Sequence, residues 1–131
     1  MTKILFVCSG NVGRSQMAEA FYNNFTESKN AFSAGTDPNT PTKYPKMPDE
    51  ICLIMSEESI DVSHKKVKLL NKHFVDEAEQ IFVMCKKDLC PDFLTKSNKV
   101  IYWEIEDPYQ MSIDDMRKIR DQIKVKVKSI I

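Results

Sequence analysis

Cys8-Ser9-Gly10-Asn11-Val12-Gly13-Arg14-Ser15 decides how this chain folds. An apolar run, Ile4-Leu5-Phe6-Val7, precedes it, and Met17-Ala18-Glu19-Ala20-Phe21 follows. That order reads as strand, tight loop, helix, with a cysteine, five residues, an arginine and a serine at the turn. Backbone N–H groups of such a loop and of the helix N-terminus converge on one point, where the helix dipole also favours negative charge. Gly10 and Gly13 are expected to let the backbone fold inward, and Asn11 suits a left-handed backbone position. Arg14 can grip two oxygens at once with its planar fork. The stretch reads as a cradle for a tetrahedral oxyanion, bound by Ser9, Gly10, Asn11, Val12, Gly13, Arg14 and Ser15. Cys8 lies on its floor, where the positive field favours the thiolate nucleophile.

Working outward, residues 3–7 form the first strand, apolar throughout as expected where both faces are covered. Residues 15–25 form a helix with Met17, Ala18, Phe21, Tyr22 and Phe25 on its inner face. A short second strand is expected at 31–36. Residues 37–48 carry Pro38, Pro41, Pro45 and Pro48 and read as an extended surface loop, with Tyr44 placed to face a substrate ring. Pro48, Asp49 and Glu50 start the next helix, with Ile51, Cys52, Met55 and Ser59 on its inner face. Residues 65–74 read as a short helix with Val67, Leu70 and Phe74 inward. Strands follow at 80–84, ending at Cys85, and at 99–105, ending before Asp107-Pro108-Tyr109. The last helix opens on Ser112 as N-cap with Asp115 three residues on, and Ile113, Met116, Ile119, Ile123, Val127 and Ile130 repeat along it.

Nineteen basic and nineteen acidic residues balance, which points away from nucleic acid and from a membrane surface. No apolar run approaches the ~20 residues that span a bilayer, and no signal peptide is expected, because the N-terminus runs directly into a strand. Four cysteines at uneven spacing read as cytosolic thiols, so the chain is expected to be cytoplasmic. His64 and His73 are the only histidines, in lysine-rich surroundings that suit solvated roles. Residues 1–131 are expected to form a single catalytic domain acting as a monomer. Strands alternating with helices imply an α/β fold with a parallel sheet.

The Cys8–Ser15 loop resembles the active-site loop of the low-molecular-weight protein tyrosine phosphatase superfamily, which includes thioredoxin-coupled arsenate reductases. Arg14-Ser15-Gln16-Met17-Ala18-Glu19 is similar to the reductase branch, and Asp107-Pro108-Tyr109 matches the family's acid motif, Tyr109 more as in the phosphatases. One departure is Gly13, where many members carry a cysteine. The resemblance implies strand order 2-1-3-4 with helices on both faces. Cys8, Cys85 and Asp107 would then share the carboxyl rim, where such sheets bind ligands. Asp107 would act as general acid, then base, and Tyr109 would line the substrate pocket.

Two functions fit. In an arsenate reductase, Cys8 attacks arsenate, and Cys85 and Cys90 carry the resulting disulfide to thioredoxin or a similar dithiol donor. The spacing between that pair is shorter here than in the best-known reductases. In a phosphatase, Cys8, Arg14 and Asp107 suffice to hydrolyse phosphotyrosine or another aryl phosphate through a cysteinyl-phosphate. No cofactor is required in either case. The resemblance also implies a potassium ion held by Asn11, Glu19, Ser33 and Asp61.

Overall fold

The computed structural model describes residues 3–40 and 42–131; Pro41 of the proline-rich loop lies outside them. Four strands form one parallel sheet: β1 (Ile4–Cys8), β2 (Ala31–Gly35), β3 (Gln80–Val83) and β4 (Val100–Tyr102), in the order β2-β1-β3-β4. The helices are α1 (Arg14–Thr26), α2 (Asp49–Ser56), α3 (Lys72–Glu77), α4 (Asp92–Thr95) and α5 (Ile113–Lys128). A single 3₁₀ turn at Lys87–Leu89 follows β3. The α/β class, the strand order and the covering of both sheet faces agree with the expectation.

Alternation along β1 sorts the core into two layers. Ile4 and Phe6 pack with α1, α2 and α5, where Phe82 and Trp103 meet at a tilt of 33° with ring centroids 4.4 Å apart. Leu5 and Val7 face the other side, with Val75 of α3, Leu94 of α4 and Cys85. Arg120 of α5 reaches across to α2, donating to the Ile54 carbonyl at 2.9 Å and pairing with Glu57 at 2.7 Å. Ser112 caps α5 by accepting from the Asp115 N–H at 3.2 Å, as its sequence implies.

Three local expectations are corrected. Residues 65–70 are not helical. They run beside the free edge of β2, where the Gly35 N–H donates to the Lys68 carbonyl and the Leu70 N–H to the Gly35 carbonyl, both at 2.8 Å. The helix starts only at Lys72, after Asn71 accepts from the Phe74 N–H at 3.0 Å. Ser59 lies beyond α2 at φ 61°, exposed to solvent, and the buried face of α2 is Ile51, Ile54 and Met55. The fourth strand is shorter than 99–105 because the chain leaves the sheet after Trp103, whose N–H makes the last bond to the Val83 carbonyl at 2.8 Å.

Candidate active site

Parallel strands deliver Cys8, Thr36 and Met84 to one rim: the Thr36 N–H donates to the Cys8 carbonyl (2.9 Å) and the Met84 N–H to the Val7 carbonyl (2.8 Å). Beyond Cys8 the chain leaves the sheet and crosses directly over Gly35 of β2. A Cβ at position 35 would lie 2.6 Å from the Ser9 carbonyl oxygen and 3.0 Å from the Asn11 nitrogen. The left-handed residue of the loop is Asn11 (φ 56°); neither Gly10 nor Gly13 has positive φ. These two glycines make room instead, Gly10 beneath the Tyr44 ring and Gly13 against Pro108.

Cys8 is buried, its Sγ 2.9 Å from Ser15 Oγ and receiving the Asn11 N–H at 3.3 Å. Asn11 and Ser15 are wholly buried. The backbone N–H of Lys68, an unambiguous donor, points at Asn11 Oδ1 (2.9 Å), and Gln16 Nε2 joins it at 3.0 Å. The amide nitrogen of Asn11 therefore faces the other way and donates to Ser15 Oγ (2.8 Å) and Ser33 Oγ (3.0 Å). A Ser15 hydroxyl supplied from Asn11 has its own proton to offer Cys8, and a thiolate can only accept in that contact.

Arg14 opens α1 and is itself buried. It donates to the Met84 carbonyl beyond β3 and to the Ile105 carbonyl at 2.9 Å. These two bonds fix the guanidinium plane and turn its outer nitrogen toward Ser9 Oγ (3.4 Å) and Asp107 Oδ2 (3.6 Å). The early departure of β4 from the sheet is what brings the Ile105 carbonyl to Arg14. Asp107 is about half exposed, and its other oxygen accepts the Tyr109 N–H at 3.0 Å, which holds the carboxylate over the rim. Tyr44 and Tyr109 meet edge to face at 6.5 Å. With Met47, Ile51, Met111 and Met116 they line a cleft of about 580 Å³ that opens from Cys8, Arg14 and Asp107.

Cys85 and Cys90 come together, their sulfurs 3.8 Å apart. Cys85 Sγ also lies 3.9 Å from Thr36 Oγ1, and Cys90 Sγ 3.5 Å from the Lys86 carbonyl. The contact between them splits the pair: Cys85, beside Cys90 and buried, is pushed up from the usual thiol range, while the contact with Cys85 draws Cys90 down. Cys85 packs on the Leu5–Val7 layer, whereas Cys8 faces Ser15 of α1. His64 and His73 stay exposed beside Asp61 and Glu77, as expected of solvated residues.

Three of the four residues of the potassium set meet. Ser33 Oγ donates to Glu19 Oε1 at 2.9 Å, so Asn11, Ser33 and Glu19 meet. Asp61 does not join them. It is largely exposed, and its Oδ1 accepts from the N–H (2.9 Å) and hydroxyl (2.6 Å) of Ser63. Asn11 turns an amide N–H toward the cluster, where a cation needs oxygen. The remaining Glu19 oxygen is held by the Lys65 ammonium. Among the described residues no group of three His, Cys, Asp or Glu forms a metal site. Sequence reasoning missed both Gly35 and Lys65, which lie 24 or more residues from the contacts that define them.

Residues 3–131 match the family model described as low molecular weight phosphotyrosine protein phosphatase. An arsenate reductase of Staphylococcus xylosus is 31% identical over 129 residues, 96% of this chain and 93% of that protein. A low molecular weight protein tyrosine phosphatase from T. tengcongensis superposes with a TM-score of 0.84 at 23% identity, covering 99% of this chain and 97% of its own. An arsenate reductase in the phosphate binding state gives 0.81 at 26% identity, covering 99% and 96%. The chain therefore belongs to the low molecular weight phosphotyrosine protein phosphatase family. It is an enzyme of the phosphatase and arsenate reductase kinds.

Proposed function

We propose that this chain is a thiol-dependent arsenate reductase. The observation that carries the reading is the Cys85–Cys90 pair, two free sulfurs 3.8 Å apart beside the oxyanion loop. Cys8 thiolate attacks arsenic and displaces one oxygen as water, and Arg14 with the loop N–H groups holds the remaining oxygens. Cys85 then attacks Cys8 Sγ. The sulfur–arsenic electron pair stays on arsenic, which leaves as arsenite, and the two sulfurs form a disulfide. As Cys85 attacks, its proton passes to solvent. Cys90, once it has lost its own proton to solvent, attacks Cys85 and frees Cys8 as the thiolate. The Cys85–Cys90 disulfide then takes two electrons from an external dithiol such as thioredoxin. Because Cys8 and Cys85 face different layers, the segment after β3 must shift for their sulfurs to meet.

The cleft favours a second reading. Its aromatic and methionine walls extend well beyond a tetrahedral oxyanion and suit the ring of an aryl phosphate, with Asp107 over the leaving oxygen. Replacing Cys85 by Ser separates the two. The reductase reading predicts loss of arsenate turnover with aryl phosphate hydrolysis retained. Arsenate turnover undiminished by Cys85→Ser contradicts it.

A further inference from the structure

The chain of hydrogen bonds behind Cys8 has a direction, and its far end is a charge supplied by the protein itself. Ser33 donates to Glu19, so its oxygen is left to accept from Asn11. Asn11 cannot rotate its amide, because Lys68 N–H and Gln16 Nε2 hold its oxygen. Its second N–H therefore goes to Ser15, and Ser15 to Cys8. The Glu19 carboxylate anchors this sequence and is only 6% exposed. A carboxylate buried that deeply requires a counter-charge. Lys65 provides it from the extended segment beside β2, its side chain one-fifth exposed. Lys68, from the same segment, gives its ammonium to the Lys66 carbonyl at 2.9 Å and not to Glu19. No negative charge is left over for a further cation.

We propose that Lys65 is a positioning residue, a tethered cation that keeps Glu19 ionised, so that Ser33 stays an acceptor for Asn11 and the Asn11–Ser15 pair is held against the Cys8 sulfur. The site then works without potassium, and removing the ammonium opens a monovalent cation position at Glu19. The inference rests on Cys8 being the nucleophile and holds for reduction and for phosphoryl transfer alike.

The test reads the thiol directly, so it does not depend on which reaction is physiological. The reduced protein is alkylated with iodoacetamide at neutral pH, and the Cys8 peptide is followed by mass spectrometry in choline, sodium or potassium chloride at equal ionic strength. Wild type is expected to react equally in all three. Lys65→Met is expected to slow about 3–10-fold in choline chloride, the scale of one polarised hydrogen bond. Potassium should restore its rate and raise its thermal midpoint. Lys65→Arg should react like wild type. Glu19→Gln should be slow with no response to potassium, because the anchor is gone. Wild-type alkylation of Lys65→Met, or potassium stimulation of the wild type, overturns the proposal. So does a slowed Lys65→Met that neither potassium nor arginine at position 65 restores.

Discussion

Replacing Gly35 by Ala tests how the oxyanion loop is seated. The added Cβ would stand 2.6 Å from the Ser9 carbonyl oxygen. An ordinary contact begins near 3.4 Å, so the loop must retreat by about 0.8 Å. All three close partners, Ser9 O, Asn11 N and Gly10 C, are backbone atoms that no rotamer change can move aside. Gly35 does not use positive φ, so the effect is one of contact and not of backbone freedom. Overpacking of this kind costs about 1–3 kcal/mol, which lowers the melting midpoint by roughly 4–12 °C in a chain of this size. The larger loss is catalytic. A displacement near 1 Å of the groups that hold the reacting atoms is worth about 10² in rate. The assay is hydrolysis of p-nitrophenyl phosphate together with phosphate affinity, both measured well below the midpoint. Gly10→Ala is the control, because its Cβ meets side chains and no backbone, the movable Tyr44 ring at 3.3 Å and Val12 at an ordinary 3.5 Å, and should change the rate far less. A Gly35→Ala protein within twofold of wild type in both readouts would refute the seating of the loop on β2.

Ser15→Ala leaves Cys8 with only the Asn11 N–H, and Cys8 alkylation should slow about 3–10-fold with little loss of stability; an unchanged rate would remove Ser15 from the site. Asp107→Asn should slow hydrolysis of phenyl phosphate by about 10²–10⁴, and p-nitrophenyl phosphate less, because its leaving group needs a proton less. Equal losses on the two substrates would argue against a general acid. Glu57 is held down from 4.5 to about 2 by bonds from Arg117 and Arg120. Its contribution to stability is therefore present above about 4.5 and lost as pH falls toward 2. Glu57→Gln should lower the melting midpoint at neutral pH and flatten its acid limb, and an unchanged limb would show that the α2–α5 clasp is not felt.

The strand–loop–helix around Cys8 was legible because its signals are local: a continuous apolar run, a loop of small residues, and a helical repeat. The place of Asp107 on the rim with Cys8 came from the family's acid motif, and the Ser112 cap from four adjacent residues. The segment at 65–70 misled because Val67 and Leu70 are three apart, a spacing shared by a helix face and by an extended chain dipping twice into a core. Bonds to Gly35 decide it for the extended form, and Asn71, the true N-cap, was the available signal. Gly35 gave no signal because its constraint comes from the loop crossing above it. Lys65 gave none because one surface-type lysine reads like its neighbours until the fold sets it on Glu19. Asp61, placed by resemblance in a cation site, instead folds its carboxylate onto Ser63 in a local turn.

One turnover of the fully reduced protein with arsenate, followed by mass mapping of its four thiols, tests the central claim most directly. The account predicts stoichiometric arsenite and a Cys85–Cys90 disulfide, with Cys8 and Cys52 free. No arsenite, with Cys85 and Cys90 both still reduced, would contradict it and leave the aromatic cleft and Asp107 as the marks of a phosphatase.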